Sequence, residues 1–204
     1  MREIRILKPQ KGPQEMFLST SAAICKYGGA AGGGKTFGLL LDPLRHKNVK
    51  RYSAVFFRKN NIQIHAEGGL LDESISMYSG ISGAKLKYSP RPRWYFRNGG
   101  KIGFAHIERD DDLSKWQGSQ ITAIMFDELT HFTEKQFFYM LSRNRSVCGV
   151  KPYVRATCNP DADSWVAKFI EWWIDPDTGY PIPERSGKIR WMLRREDSIY
   201  WADD

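Results

Sequence analysis

Apolar residues along this chain occur in two patterns, short unbroken runs and recurrences at every third or fourth position. Short apolar runs, each predicting a buried strand, occupy residues 22–27, 53–58, 121–126 and 153–158. Helical spacing predicts helices over residues 36–45, 60–78, 133–143 and 164–173. The second helix is expected to be interrupted at Gly68 and Gly69. Because strands alternate with helices, we predict an α/β fold in which helices flank a mostly parallel central sheet.

Three shorter runs with alternating polarity lie between the second and third buried strands. They occupy residues 85–88, 93–97 and 101–106 and are separated by turn-forming segments, Ser-Pro-Arg-Pro and Asn-Gly-Gly. We therefore predict antiparallel ribbons or edge strands in this region. From residue 175 onward the chain is rich in Pro and Gly before a last strand-like run at residues 188–193.

Between the first predicted strand and the first predicted helix, residues 29–36 read Gly-Ala-Ala-Gly-Gly-Gly-Lys-Thr. This spacing is the phosphate-binding P-loop, and it stands in the required context between a strand and a helix. Glycines let the backbone turn its N–H groups toward phosphate oxygens. We predict that the nucleotide is contacted by Gly29, Ala30, Ala31, Gly32, Gly33, Gly34, Lys35 and Thr36. Lys35 is expected to reach the β and γ phosphates and Thr36 to ligate Mg²⁺, whereas a merely connecting glycine loop rarely matches the full motif.

Two carboxylates, Asp127 and Glu128, directly follow the most apolar run of the chain. They are predicted at the carboxyl end of a buried strand, where α/β proteins bind their ligands. Asp127 is expected to hold Mg²⁺, directly or through water, and Glu128 to polarise the attacking water as general base. The alternative is a solvated acidic pair at a strand exit. Together with Lys35, this pair predicts a P-loop NTPase of the RecA-like additional-strand, catalytic-glutamate type.

Length and composition predict one soluble globular domain, with 204 residues of which 41% are hydrophobic and 26% charged. The sequence contains neither an apolar stretch of membrane-spanning length nor a signal-peptide pattern, so we expect a cytoplasmic protein without a membrane partner. Cys25, Cys148 and Cys158 lack metal-ligand spacing and are expected to be reduced. Lys and Arg outnumber Asp and Glu by 31 to 23, which suits a polyanionic partner, although the cations are spread along the chain.

The ordered set of motifs closely resembles the ATPase domain of the large terminase subunit of tailed bacteriophages, the motor that packages DNA. The resemblance covers nearly the whole chain, and the order of the set is far more specific than any member. The segments that carry it are residues 13–18 (Pro-Gln-Glu-Met-Phe-Leu), 28–36, 57–59 (Phe-Arg-Lys), 103–106 (Gly-Phe-Ala-His), 116–118 (Trp-Gln-Gly), 126–130 (Phe-Asp-Glu-Leu-Thr), 142–145 (Ser-Arg-Asn-Arg) and 157–160 (Thr-Cys-Asn-Pro).

This resemblance implies roles for polar residues outside the P-loop. Gln14 takes the place of a glutamine that reads adenine, and its amide can both donate to and accept from the adenine edge, which favours ATP. The alternatives are a plain surface glutamine and, as a less well placed competitor, Gln10. Thr157 and Asn159 resemble the coupling motif of the family, whose polar side chains sense the γ-phosphate. A simple strand-ending turn with Asn-Pro is the alternative at that position.

Motors of this family act as rings and complete each site with an arginine, often from a neighbouring subunit. In many relatives an arginine stands directly before the glycine equivalent to Gly118, but here that residue is Gln117. The remaining candidates are Arg58, Arg109, Arg143 and Arg145. We slightly prefer Arg143 and Arg145, as an arginine finger or as a DNA contact.

The resemblance also implies a function, ATP hydrolysis with Mg²⁺ that drives double-stranded DNA into a procapsid. The implied partners are further copies of the chain in a ring on a portal and a small terminase subunit, in the cytoplasm of the infected bacterial host. We expect one ATPase domain over residues 1–204, with an adenine-contacting segment at 1–20, a P-loop core at 21–174 and a segment at 175–204 leading toward a missing nuclease domain. No nuclease activity is expected. The alternatives are another RecA-like DNA-dependent ATPase, of helicase or recombinase type, and a nucleotide-switched assembly module.

Overall fold

The computed structural model describes residues 6–30, 32–196 and 198–203. Its main sheet contains β1 (Ile24–Gly28), β2 (Ser53–Arg58), β3 (Lys85–Lys87), β4 (Arg93–Tyr95), β5 (Lys101–His106), β6 (Ala123–Phe126) and β7 (Tyr153–Cys158). The strands lie in the order β1-β7-β6-β2-β5-β4-β3. The first five of these are parallel, and β4 and β3 continue the sheet antiparallel. The predicted α/β fold with a mostly parallel sheet is confirmed.

Helices connect the strands and flank the sheet. The α-helices are α1 (Pro13–Ser19), α2 (Lys35–Leu41), α3 (Asn61–His65), α4 (Leu70–Tyr78), α5 (Glu134–Leu141) and α6 (Trp165–Phe169). Short 3-10 helices occupy Asp42–His46, Asp110–Trp116, Leu129–His131 and Glu171–Trp173. Side-chain caps fix where several helices begin: Thr133 Oγ1 accepts a hydrogen bond from the Gln136 N–H (3.1 Å), so α5 starts at Glu134.

Buried side chains form two clusters, because successive residues of a strand point to opposite faces of the sheet. Phe56 of β2 and Phe104 of β5 stack in the first cluster, with 5.3 Å between their ring centroids. Phe57 of β2 and Phe126 of β6 pack in the second cluster, with 5.7 Å between centroids. Strands buried on both faces therefore account for the unbroken apolar runs in the sequence.

The helix predicted over residues 36–45 is α-helical only as far as Leu41, after which Asp42–His46 form a 3-10 helix. Pro43 explains the change, since it has no N–H to donate to the α-helical ladder. The interruption predicted at Gly68 and Gly69 is confirmed. Gly68 has a φ of +67°, in the left-handed region, and separates α3 from α4.

For β5 the antiparallel expectation is confirmed on the side of β4 but not on the side of β2, to which β5 is parallel. Because β5 lies between these two strands, it is not an edge strand. Ile102 and Phe104 fill the first cluster, whereas the opposite face of the strand presents Gly103 and Ala105. These small residues made a strand buried on both sides look half-exposed in the sequence. For β3 and β4 the antiparallel expectation is confirmed.

A separate two-stranded hairpin ends the chain, formed by β8 (Trp191–Arg195) and β9 (Ser198–Ala202). Only its first strand was indicated by the sequence pattern. Met192 and Ile199 pack against the second cluster, and Trp201 contacts Phe169 at 5.3 Å between ring centroids. Among the described residues, no helix combines the length and apolar composition that crossing a bilayer requires.

Candidate active site

The carboxyl ends of β1, β7, β6 and β2 lie next to one another and bring most of the predicted site residues together. We define the carboxyl edge as residues 28–30, 32–36, 58, 127–128 and 157–159. Strand β7 lies between the P-loop strand β1 and the carboxylate strand β6, pairing Tyr27 with Thr157 on one side. On the other side Phe126 pairs with Ala156. Parallel strands end at the same side of a sheet, so this order places Asp127 and Glu128 opposite the P-loop.

The P-loop is held in shape by left-handed glycines and by contacts from outside the loop. Gly32 and Gly34 have φ values of +80° and +67°, which side chains rarely adopt. A hydrogen bond from the Tyr27 hydroxyl to the Gly33 carbonyl (3.0 Å) ties the loop to β1. Of the eight P-loop residues predicted to contact nucleotide, Ala31 lies outside the described residues. The other seven lie in the loop and the first turn of α2.

Lys35 is buried at the centre of the carboxyl edge, with only 7% of its surface exposed. Its ammonium group donates hydrogen bonds to the carbonyls of Gly29 (2.8 Å) and Ala30 (2.7 Å). A third bond reaches the Asn159 side-chain oxygen at 3.0 Å. All of these partners are neutral, so the positive charge of Lys35 is not balanced by a carboxylate within this set of contacts.

Asp127 is enclosed by two partners that use both of its carboxylate oxygens. The Thr157 hydroxyl donates to Oδ1 at 2.6 Å, and Arg58 Nε lies 2.7 Å from Oδ2. The aspartate is 1% exposed, and this burial raises its pKa, an effect that the Arg58 guanidinium and the Thr157 hydrogen bond oppose. The pairing with Arg58 was missed by the sequence reasoning, which treated Arg58 only as a candidate arginine finger.

Glu128 adopts a left-handed backbone conformation, with a φ of +60°, although it is not a glycine. Arg51 and Glu196 also have a positive φ without being glycine, so this uncommon conformation is not confined to the carboxyl edge. Both of its carboxylate oxygens accept hydrogen bonds from Asn159, one from the backbone N–H (3.1 Å) and one from Nδ2 (3.2 Å). Because Asn159 also accepts from Lys35, it connects the predicted base to the P-loop lysine directly.

Gln14 lies in α1, is 2% exposed and packs against the P-loop. Its amide nitrogen donates to the Gly34 carbonyl at 2.9 Å, and its amide oxygen accepts from the Gln10 N–H at 2.8 Å. A Cβ added to Gly34 would lie 2.3 Å from the Gln14 amide nitrogen. In this arrangement Gln14 braces the P-loop, while its contact with adenine stays a prediction.

Arg143 and Arg145 are not brought to the carboxyl edge of their own chain. They lie at the opposite end of β6, where the Arg145 N–H donates to the Ile121 carbonyl at 3.1 Å. Arg143 lies over the Tyr139 ring, 5.3 Å from its centroid. Arg109 follows β5 on the same side of the sheet as the P-loop and is exposed.

The donor groups of the carboxyl edge fit the ligands predicted for it. Carboxylate and hydroxyl oxygens, supplied by Asp127 and Thr36, are the ligand types that Mg²⁺ takes in nucleotide sites. A lysine surrounded by neutral carbonyls, at the start of a helix and beside left-handed glycines, suits an anionic phosphate group. Within the described residues, groups of three His, Cys, Asp or Glu side chains that would hold a metal by themselves are not found.

Comparison with known proteins gives one family and several structures. Residues 27–201 match a family model described as the terminase large subunit, T4likevirus-type, N-terminal. No curated protein sequence matches the chain. The large terminase of a thermophilic bacteriophage is similar, with a TM-score of 0.57 and 16% identity over 78% of this chain and 38% of that one. The chain thus spans about two fifths of the length of that large terminase.

Two further solved structures resemble the chain. The N-terminal domain of the DNA packaging ATPase from bacteriophage phi29 has a TM-score of 0.58 and 13% identity, covering 92% of this chain and 93% of that one. The large terminase of the same thermophilic bacteriophage, in complex with ADP, has a TM-score of 0.53 and 18% identity, covering 74% and 36%. At these identities the similarity shows the fold, and it confirms the predicted RecA-like P-loop fold.

Proposed function

We propose that this chain, which belongs to the family of T4likevirus-type terminase large subunit N-terminal domains, hydrolyses ATP with Mg²⁺ and thereby drives double-stranded DNA into a procapsid. The observation that supports hydrolysis best is the contact series from Lys35 through Asn159 to Glu128, beside a buried Asp127. This arrangement brings a phosphate-binding cation and a carboxylate base to one edge of the sheet. One protein of the same fold has been solved with ADP.

In the proposed mechanism, the P-loop backbone and Lys35 bind the phosphates, and Glu128 accepts a proton from the attacking water. Thr36 and Asp127, the latter directly or through water, would hold Mg²⁺. Asp127 Oδ1 accepts from Thr157, whereas the buried Oδ2 lies near Arg58 Nε without a hydrogen bond. When bound, Mg²⁺ supplies positive charge against the phosphate oxygens. Lys35 moves no proton, because its task is to hold charge that grows in the transition state.

Asn159 is proposed to couple hydrolysis to movement, together with Thr157. Its side chain contacts both the predicted base and the P-loop lysine, so it senses whether Lys35 is occupied by phosphate. Thr157 links the same strand to Asp127. We further propose that an arginine from a neighbouring subunit completes the site, because Arg58 is already paired with Asp127.

The remaining parts of the proposal follow from family membership. We propose that Gln14 contacts adenine and that the working form is a ring of copies on a portal, with a small terminase subunit as partner. The site of action is the cytoplasm of the infected bacterial host. Residues 1–204 form the ATPase domain in this proposal, which includes no nuclease activity.

The test is ATP hydrolysis by the wild type, Lys35→Ala and Glu128→Gln, with and without duplex DNA. Glu196→Gln is a matched control, because Glu196 also has a left-handed backbone (φ +55°) but lies in the exposed turn before β9. We expect Glu128→Gln to lower kcat by a factor of about 10² to 10⁴, the usual contribution of a general base. Glu196→Gln should hydrolyse ATP at the wild-type rate.

Two results would contradict the proposal. If Glu128→Gln hydrolyses ATP as fast as Glu196→Gln, then Glu128 is not the base. If Lys35→Ala binds and hydrolyses ATP like the wild type, then the P-loop is not the nucleotide site. A rate per subunit that rises with protein concentration supports an arginine supplied by a neighbour, and a constant rate contradicts it.

A further inference from the structure

The positive charge of this chain is concentrated at the ends of the parallel strands opposite the P-loop. We define the amino edge as the segments that lead into these strands, residues 20–23, 42–52, 96–101, 117–122 and 142–152. Its Lys and Arg residues are Arg45, Lys47, Lys50, Arg51, Arg97, Lys101, Arg143, Arg145 and Lys151. Asp42 is the single acidic residue of the amino edge.

The amino edge therefore accounts for the entire net charge. Nine cations against one carboxylate give +8, which equals the formal charge of the whole chain, 31 cations against 23 acids. The rest of the sequence is balanced, with 22 of each sign. The fold thus brings together cations that are far apart in the sequence, because the connections that contain them all lead to the amino ends of the parallel strands.

Most of these cationic side chains face solvent and are not paired with a carboxylate. Exposed side chains include Arg45, Lys50, Arg51, Arg97, Lys101, Arg145 and Lys151, whereas Lys47 and Arg143 are half-buried. Asp42 is 1% exposed and is already paired with Arg45 at 2.7 Å. Burial lowers the pKa of His46, which adds no charge at neutral pH. The exposed charged side chains of the amino edge are accordingly all positive.

The amino edge is also firmly built. The turn before β5 packs directly on the turn before β2, since a Cβ added to Gly100 would lie 2.2 Å from the Lys47 carbonyl oxygen. Lys101 is the register partner of Ser53, two residues after Arg51. A cavity of about 420 Å³, lined in part by Arg45, His46, Lys151 and Arg155, opens between the segments that lead into β1 and β7.

We propose that the amino edge binds the phosphate backbone of double-stranded DNA. Three strand spacings separate β7 from β5, about 14 Å in all, and duplex DNA carries about eight phosphate charges over that length. In the amino edge, all of which the structure describes, Val147 is the only large hydrophobic residue that is exposed, so the apolar centre typical of protein interfaces is lacking. The choice of duplex DNA over other polyanions rests on the proposed function.

The position of this surface separates DNA from nucleotide. Strands of six residues such as β2 and β7 are about 20 Å long, and the P-loop lies at their other end. ATP phosphates and DNA phosphates therefore bind to different groups of cations in the same domain. Substitutions at the amino edge are expected to change DNA binding without touching the residues proposed for hydrolysis.

The test uses the triple variant Lys50→Gln, Lys101→Gln and Lys151→Gln, whose three exposed lysines lead into three different strands. A matched control, Lys87→Gln, Lys168→Gln and Lys188→Gln, removes the same charge from exposed positions outside the amino edge. Lys87 of the control and Lys101 of the amino-edge variant both have their ammonium groups over the Tyr95 ring, so these two positions are matched in environment. Binding of a short fluorescent duplex of mixed sequence is measured at salt concentrations between about 50 and 200 mM.

We expect the amino-edge variant to bind the duplex roughly tenfold more weakly and to reduce the slope of log affinity against log salt by about 2.7, or 0.9 per lost phosphate contact. The control should stay close to wild type. ATP hydrolysis without DNA should be unchanged in both variants. If the amino-edge variant keeps the wild-type affinity and slope, or loses no more than the control, this surface is not the DNA site.

A competition experiment identifies the class of polyanion. Unlabelled duplex should displace the probe at a much lower charge concentration than polyglutamate or vesicles of acidic lipid. Equal displacement by either competitor would overturn the choice of DNA. Failure of the proposed function has a different signature, the absence of ATP hydrolysis by the wild-type chain, and leaves the binding measurement intact.

Discussion

The carboxyl edge and the amino edge of this sheet contain similar charged groups but differ in the burial of those groups that we propose to be functional. At the carboxyl edge, Asp127 is buried against Arg58. At the amino edge, Lys50 and Lys101 stand exposed, whereas the single acid of this edge, Asp42, is buried. Buried charges must be paired or hydrogen-bonded, whereas exposed ones are free to bind an external ion.

This difference suits each edge to the task that we propose for it. A catalytic site needs charges held in fixed positions before the reaction, and the enclosed contacts around Asp127 provide that order. A surface that holds a moving polymer needs attraction without fixed partners, which exposed lysines and arginines on short connections supply. The comparison predicts that replacing charged side chains costs stability at the carboxyl edge and mainly affinity at the amino edge.

The sharpest test of this contrast is Arg58→Ala, which leaves Asp127 buried without its cation. Removing one partner of a buried pair usually costs about 3 to 5 kcal/mol in the free energy of unfolding. We expect a loss near 3 kcal/mol, because the Arg58 side chain keeps 19% of its surface exposed. Urea unfolding followed by circular dichroism measures the change.

Lys115→Ala is the control, since Lys115 forms an ion pair of similar length, 2.6 Å, with Asp112 at the surface. Its side chain is 66% exposed, and we expect a loss of about 0.5 kcal/mol. Equal losses in the two variants would show that burial does not distinguish the Arg58 pair. The contrast between enclosed and exposed charge would then have no energetic basis at this site.

Arg58 also marks a limit of prediction from sequence. The P-loop and Asp127-Glu128 are recognisable because their spacing along the chain is fixed by local geometry. The contacts of Arg58 with Asp127 and of Asn159 with Lys35 join residues that are far apart in sequence. The first contact depends on β2 lying beside β6, and the second depends on β7 lying beside β1. Hydrophobic periodicity contains no information about strand order.

The same limit applies to the amino edge, with a larger consequence. Its cations are spread over three connections, so no window of the sequence shows a basic run that contains them all. If β5 were antiparallel to β2, Lys101 would lie at the opposite end of the sheet from Lys50. The fold class could be predicted from the hydrophobic pattern, and the chemistry of the site could be predicted from the motifs. The charged surface could be recognised only once the strand order was known.

A second prediction concerns the packing of the amino edge, through Gly100→Ala. The added Cβ would lie 2.2 Å from the Lys47 carbonyl oxygen, a backbone atom that moves only with its turn. We expect a loss of about 2 kcal/mol in unfolding free energy, as for other overpacked positions, with ATP affinity unchanged. Gly80→Ala is the control, because a Cβ there meets no atom within 4 Å. If ATP affinity falls together with stability, the two edges are not independent.

The smallest expected effect is on the free energy of unfolding, and it tests whether the amino-edge cations repel one another. Because nine cations of the amino edge stand against one carboxylate, Asp42, which is already paired with Arg45, replacing Lys50, Lys101 and Lys151 by Gln should raise the free energy of unfolding by a few tenths of a kcal/mol at about 0.01 M salt. The gain should vanish at about 1 M salt, where charges farther apart than about 3 Å are screened. The control triple at Lys87, Lys168 and Lys188 should gain nothing, since the rest of the chain is balanced in charge. Equal gains in both triple variants would mean that the repulsion depends on the total charge of the chain rather than on the concentration of cations at one edge. The amino edge would then not differ electrostatically from the rest of the surface.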